Sequence, residues 1–224
     1  MSIGGCDVEA PVSGLKQIFT TTRPPESVKT VPKVVRFWPK GRGGVMSYRH
    51  DLWEIAAQQH GVVTIAEAED AGVPAVEVRK LAHRGALRAY GKGVYIHCSV
   101  PTTDLTEPAV ATALAGDGAF LERETVLDMR GLGQFNPHRI WVATRRRVRR
   151  TLPEWVDLET RMDVPDEDLT HYEGIPATTV RRALVDVHDR MPSERWKTLV
   201  EQARQRELID NHDAANLTGQ QGAS

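Results

Sequence analysis

The sequence predicts an α/β (α+β) protein: an N-terminal winged helix-turn-helix followed by a mixed α/β C-terminal domain. Three observations predict it. Residues Tyr48 to His97 read as three short helices and then a tight hairpin. Five of the six Lys and Arg residues in that stretch fall on the third helix and the hairpin. Beyond Pro101, helix-like and strand-like stretches alternate with different periods.

The first helix is carried by LWEIAAQQHG, where Leu52, Ile55, Ala56 and Gln59 recur at helical spacing and Gly61 stops the run. Thr64 opens the second helix, and Glu67 three residues later completes a T-x-x-E capping box. Gly72 ends it and permits the sharp turn that a helix-turn-helix needs. Pro74 stands in the first turn of the third helix, where its missing N–H costs nothing. Val78, Leu81 and Ala82 are expected to face inward, leaving Glu77, Arg79, Lys80, His83 and Arg84 outside. After Gly85, residues Leu87 to Ile96 alternate around Gly91 and Gly93, as a two-stranded wing should.

From Pro74 to His97 five bases (Arg79, Lys80, Arg84, Arg88, Lys92) face one acid, Glu77, whereas Met46 to Val73 hold one base and five acids. Each phosphate that a basic side chain neutralises releases counterions, so the charge lies where DNA contact would use it. A winged helix with a solvated charged face can instead serve as a protein-binding module.

At 224 residues, 40% of them hydrophobic, the chain is long enough for two small domains. Its net charge of −1 hides an uneven distribution: +4 over residues 1–45, zero over 46–100 and −5 over 101–224. Cys6 and Cys98 are the only cysteines and fit neither a disulfide framework nor a metal-ligand spacing. No run approaches the roughly 20 apolar residues of a membrane span, and the N-terminus lacks the apolar core of a secretory signal. The expected setting is the bacterial cytoplasm, with no cofactor, metal or membrane partner. Residues 1–45 carry PVSG, TTRPPES, TVPK and WPKGRGG without periodicity and are expected to be a disordered or weakly ordered leader. Met46 directly precedes the first helical pattern and is favoured as the true start. The competing reading is a basic arm that reaches a minor groove.

The predicted boundaries are 46–100 for the winged helix, 101–209 for the second domain and 210–224 for a polar, frayed tail. Thr106 is expected to cap a helix over EPAVATALA, and a second short helix, ERETVLDMRG, ends at Gly131. Two strands follow, HRIWVAT and EWVDLETRM, joined by RRRVRRTLP. LTHYEGIPATT reads as a hairpin or a bent strand turning at Glu173–Gly174. In the helix TVRRALVDVHDRM, Val180, Leu184, Val187 and Met191 share a face, and Pro192 starts a last helix with Trp196, Leu199, Val200 and Ala203 inward.

Two segments together resemble the AbiEi antitoxins, the antitoxin halves of AbiE-type (type IV) toxin–antitoxin pairs. They are GVVTIAEAEDAGVPAVEVRKLAHRGALRAYGKGVYI and GIPATTVRRALVDV, the latter similar to the family's G-[IV]-P-x-T-[TS]-x-x-R-[TA]-L-x-D segment. The resemblance spans roughly Leu52 to Ile209. It implies an N-terminal domain that represses its own operon at inverted repeats, with self-association on DNA. It also implies a C-terminal antitoxin domain that counters a nucleotidyltransferase-like toxin. Carried onto this sequence, DNA contact falls on Arg79, Lys80, His83, Arg84, Arg88, Tyr90 and Lys92, with Thr64 as a phosphate contact at a helix N-terminus. The third helix offers no Asn or Gln to read adenine in bidentate fashion. A stand-alone winged-helix transcriptional regulator with a ligand-sensing or dimerisation domain is the alternative.

Two further constellations carry charge. Arg145, Arg146, Arg147, Arg149 and Arg150 fall within six residues. Three readings stand: a second DNA-contacting loop, a dock for an acidic toxin surface, or a solvated hairpin loop. Arg181, Arg182 and Asp186 lie on one helix, with Arg182 and Asp186 at i, i+4, either fixing that helix or touching the toxin. No enzyme is expected. Asp157, Glu159 and Arg161 loosely follow the D…E-x-K order of a metal-dependent nuclease, but a guanidinium stands where the lysine belongs. The histidines show no metal-ligand spacing, and GKGVY is a turn rather than a phosphate cradle.

Overall fold

Helix α1 (Tyr48–Gln58) buries Leu52 and Ala56 and ends where His60 and Gly61 both take positive φ, 53° and 89°. The computed structural model describes residues 47–91, 93–133, 135, 139–149 and 151–219. The expectations for the leader and for a Met46 start lie outside these residues, as do Lys92 and Arg150.

Strand β1 (Val62–Thr64), helix α2 (Ile65–Asp70), helix α3 (Ala75–His83) and the wing strands β2 (Leu87–Gly91) and β3 (Val94–His97) follow in order. Strand β1 is an addition to the predicted elements. Its three residues are too few to show alternation, yet they pair antiparallel with β3, Val62 opposite Ile96, and place β3 at the centre of a β1-β3-β2 sheet. A central strand buries both faces, which is why all four residues of β3 are buried while β2 alternates. Leu52, Ala56, Val63, Ala68, Val73, Val78, Leu87 and Tyr95 form the core beneath the helices.

Helix α4 (Thr106–Ala115) joins two cores. Val110 and Leu114 pack with Val62, Val94 and Ile96 of the first sheet. Ala111 and Ala115 pack with Leu121, Val142 and Ala177 of the second. The helix is apolar almost all round, as an element enclosed on both sides must be. Thr106 is its first residue rather than its cap. Its hydroxyl accepts the Thr103 N–H at 2.9 Å and donates to the His60 carbonyl at 3.0 Å.

The second sheet has the order β6-β5-β4-β8-β7. It is built from β4 (Ala119–Leu121), β5 (Ile140–Thr144), β6 (Val156–Thr160), β7 (Leu169–Tyr172) and β8 (Ile175–Thr178). Helix α5 (Arg123–Met129) connects β4 to β5, and α6 (Val180–Val187), α7 (Ser193–Gln205) and α8 (Asn211–Gly219) follow β8. Strands β7 and β8 turn through Glu173 and Gly174, both with positive φ, the hairpin that the sequence predicts. Trp196 is buried, and its indole N–H donates to the Leu184 carbonyl at 2.7 Å, locking α7 onto α6.

Two further expectations are corrected. Strands β5 and β6 are parallel, Ile140 opposite Val156, so the arginine-rich segment is a crossover and not a hairpin loop. Residues 145–155 must carry the chain back along the whole strand, about 16 Å at 3.3 Å per residue. Residues 211–219, expected as a frayed tail, form α8, with Ala214 and Leu217 buried and Asp210 accepting the Asp213 N–H at 2.6 Å. A small apolar pattern was hidden there by polar neighbours.

Candidate nucleic-acid interface

The capping box decides how α2 meets α3. Thr64 accepts the Glu67 N–H at 3.2 Å, and its own N–H and hydroxyl donate to Glu67 Oε2 at 2.9 and 2.8 Å. The hydroxyl proton of Thr64 is thus spent within the cap. Gly72 takes φ 82° in the turn, and Pro74, at the N-cap of α3, directs the helix outward from it.

Val78 anchors α3, with Leu81 and Ala82 half-buried beside it, so the opposite face presents Val76, Arg79, Lys80, His83 and Arg84 to solvent. Spacing of three, four and seven residues puts Val76, Arg79, Lys80 and His83 on a single face. Lys80 pairs with Glu77 at 2.8 Å, an exposed pair of small energetic value. Arg79, His83 and Arg84 make no ion pair among the described residues. Val76, 54% exposed, went unremarked in the sequence because the AVEV run gives no sign of which valine turns outward. A branched apolar group in this position matches the C5 methyl of thymine, complementing cations that match phosphates and guanine.

Leu87 shares a core cluster with Val78, and this fixes the wing beside α3. On β2, Arg88 donates to the Tyr90 hydroxyl at 2.5 Å and stacks 4.8 Å above its ring, so these half-buried residues act as a pair. At Gly91 a Cβ would collide with the Leu114 side chain, so the wing lies directly on the last turn of α4.

Further along, Arg145 donates to the Val164 carbonyl at 2.8 Å and pairs with Asp166 at 2.6 Å. Arg146, Arg147 and Arg149 are exposed and make no ion pair among the described residues.

Arg181, Arg182 and Asp186 belong to a different arrangement. Arg161 joins three acidic residues: Glu122 at 2.9 Å, Asp163 at 2.7 Å and Asp186 at 3.0 Å. Arg182 pairs with Asp163 at 2.5 Å and with Asp186 at 3.1 Å, the predicted i, i+4 contact, and Arg181 reaches Asp168 at 2.7 Å. Burial pushes the Glu122 carboxyl up to about 7, outweighing the attraction of Arg123 and Arg161, while Glu159 and Asp186 push the same way as burial. Asp163 is held well below the usual carboxylate range, chiefly by its hydrogen bond from Arg161. Sequence spacing could not find this network, since Glu122 and Arg161 are 39 residues apart.

The three nuclease-like residues are each engaged by opposite charge. Asp157 pairs with Arg139 at 2.9 Å, Glu159 with Arg123, and Arg161 is in the network above. Among the described residues, no group of three or more His, Cys, Asp or Glu is placed to hold a metal ion. No helix among them is long and apolar enough to cross a membrane.

Residues 51–96 match the family described as "Transcriptional regulator, AbiEi antitoxin". The match coincides with the winged helix, from the second turn of α1 to β3. No curated protein matches the chain. Among solved structures, the chain is similar to the RV2827C protein from Mycobacterium tuberculosis, at 18% identity and a TM-score of 0.42, over 77% of this chain and 71% of that one.

Proposed function

We propose that this chain is an antitoxin that represses its own operon through the winged helix and neutralises a nucleotidyltransferase-like toxin through residues 101–209. The observation that carries the reading is the exposed face of Arg79, Lys80, His83 and Arg84 on α3, inside a segment that matches an AbiEi regulator family. Acidic residues dominate the helices before it, so the positive face is local and oriented. In this reading α3 enters the major groove and Arg88, Tyr90 and Lys92 of the wing hold flanking backbone, whereas Thr64, whose N–H and hydroxyl both donate to Glu67, has no donor left for a phosphate.

A duplex covering the region upstream of its own gene provides the test. The full chain is expected to shift that duplex, and Arg84→Ala to weaken binding and shallow the salt dependence by close to one contact. Equal binding by both proteins across a salt series would refute the assignment. Co-expression with a nucleotidyltransferase encoded next to it tests the second half, with restored growth expected. The family match stops at residue 96, as it also would for a stand-alone regulator, so failure to restore growth with DNA binding intact would favour that alternative.

A further inference from the structure

Helix α3 exposes one side chain that phosphate contact does not account for. Val76 stands in the first turn and is 54% exposed, while the core beneath is filled from the same helix by Val78, with Leu81 and Ala82 beside it. A β-branched residue lowers helix propensity, and this one buries little area in return. Its isopropyl group offers a phosphate neither a charge nor a donor. In a major groove, the apolar group that meets such a side chain is the C5 methyl of thymine.

Arg79 lies one turn further along the same face. Of the two adjacent cations, Lys80 is tied to Glu77 at 2.8 Å, whereas Arg79 makes no ion pair among the described residues. Its planar fork matches the O6 and N7 acceptors of guanine. Arg84 stands at the C-cap, at the far end from the N-terminal turns with which a recognition helix reads base edges. With no Asn or Gln from Ala75 to His83, α3 has no bidentate reader for adenine. Three residues advance about 4.5 Å along a helix, and stacked base pairs are about 3.4 Å apart. Val76 and Arg79 therefore reach about one base pair apart. No Watson–Crick pair holds both thymine and guanine, so the two side chains address neighbouring pairs.

We propose that Val76 and Arg79 are the base-reading pair of α3, Val76 against the methyl of a thymine and Arg79 against a guanine in the next base pair. This rests on the DNA-binding reading of α3 and deepens it. Each half-site then contains a thymine and a guanine in adjacent base pairs, and discrimination at that step comes from these two side chains.

The test uses the full chain and the upstream duplex. Each thymine in the protected region is replaced in turn by deoxyuridine, which lacks only the methyl group, and each guanine by 7-deazaguanine, which lacks the N7 acceptor. Loss of one thymine methyl is expected to weaken binding about four-fold, the worth of one buried methyl group. Loss of N7 in an adjacent pair should weaken it by about five-fold. Val76→Ala should abolish the thymine response and keep the guanine response, and Arg79→Ala should do the reverse. Val76→Ala should also leave the melting temperature unchanged or slightly raised, since alanine is the better helix former. Wild-type affinity in Val76→Ala, with every thymine response retained, would overturn the proposal while leaving DNA binding by α3 intact. Responsive thymine and guanine positions several base pairs apart would overturn it as well. Absence of any shift by the wild-type chain would remove the DNA-binding reading and this one together.

Discussion

Glu122 shows how far one side chain's behaviour departs from its type. It is fully buried at the end of β4, where its Oε2 accepts from Arg161 while Oε1 has no hydrogen-bond partner among the described residues. Its carboxyl is raised from 4.5 to about 7. Between those values the folded chain holds a proton that the unfolded chain has released, so stability falls as pH rises. The contribution is complete below pH 4.5 and is lost as pH passes through about 7. Glu122→Gln, which stays neutral, is expected to gain on wild type by roughly 1–3 kcal/mol between pH 5 and pH 8. Melting temperatures across that range would read it, and parallel pH profiles would show that Glu122 does not titrate there. Asp163 acts in the opposite sense, losing its contribution only as pH falls below its ordinary value of 3.8, so the two windows separate.

At the scale of the element, the most local signals were the most legible. The T-x-x-E pattern foretold the capping box at Thr64 because both partners lie within one turn. Thr64→Ala is expected to cost about 1 kcal/mol, and Thr64→Ser to restore most of it. Thermal unfolding of the two variants would check this, and equal losses for Ala and Ser would argue against the cap. The Glu173–Gly174 turn and the inward face of α7 were legible for the same reason. Strands β1 and β4, three residues each, were not, because their only evidence is a partner strand elsewhere in the chain. The parallel pairing of β5 with β6 was equally hidden, since a hairpin and a crossover begin with the same strand pattern.

For the molecule as a whole, α4 decides the cooperativity. The same helix supplies Val110 and Leu114 to one core and Ala111 and Ala115 to the other. His60 adds a polar link: its ring Nε2 lies 2.8 Å from the Glu173 carbonyl of the β7–β8 turn, and its own carbonyl receives the Thr106 hydroxyl. The winged helix and the second sheet are expected to unfold together, giving one calorimetric endotherm with matching calorimetric and van't Hoff enthalpies. Leu114→Ala should cost roughly 2–5 kcal/mol, the range for a buried Leu→Ala change, and begin to separate them. Two endotherms in the wild type would refute shared cooperativity.

The sequence by itself determined the winged helix, the concentration of positive charge on its last helix and wing, and the hairpin and helices between residues 169 and 205. Those features rest on neighbours within a few residues, where periodicity, caps and turn residues act directly. Only the tertiary structure decided that Val76 faces outward, that Glu122 meets Arg161, and that Leu152 and Trp155 of the crossover pack on the cluster shared by the first sheet and α4. Each depends on groups far apart in the chain being brought together by burial, and burial is a property of the assembled core.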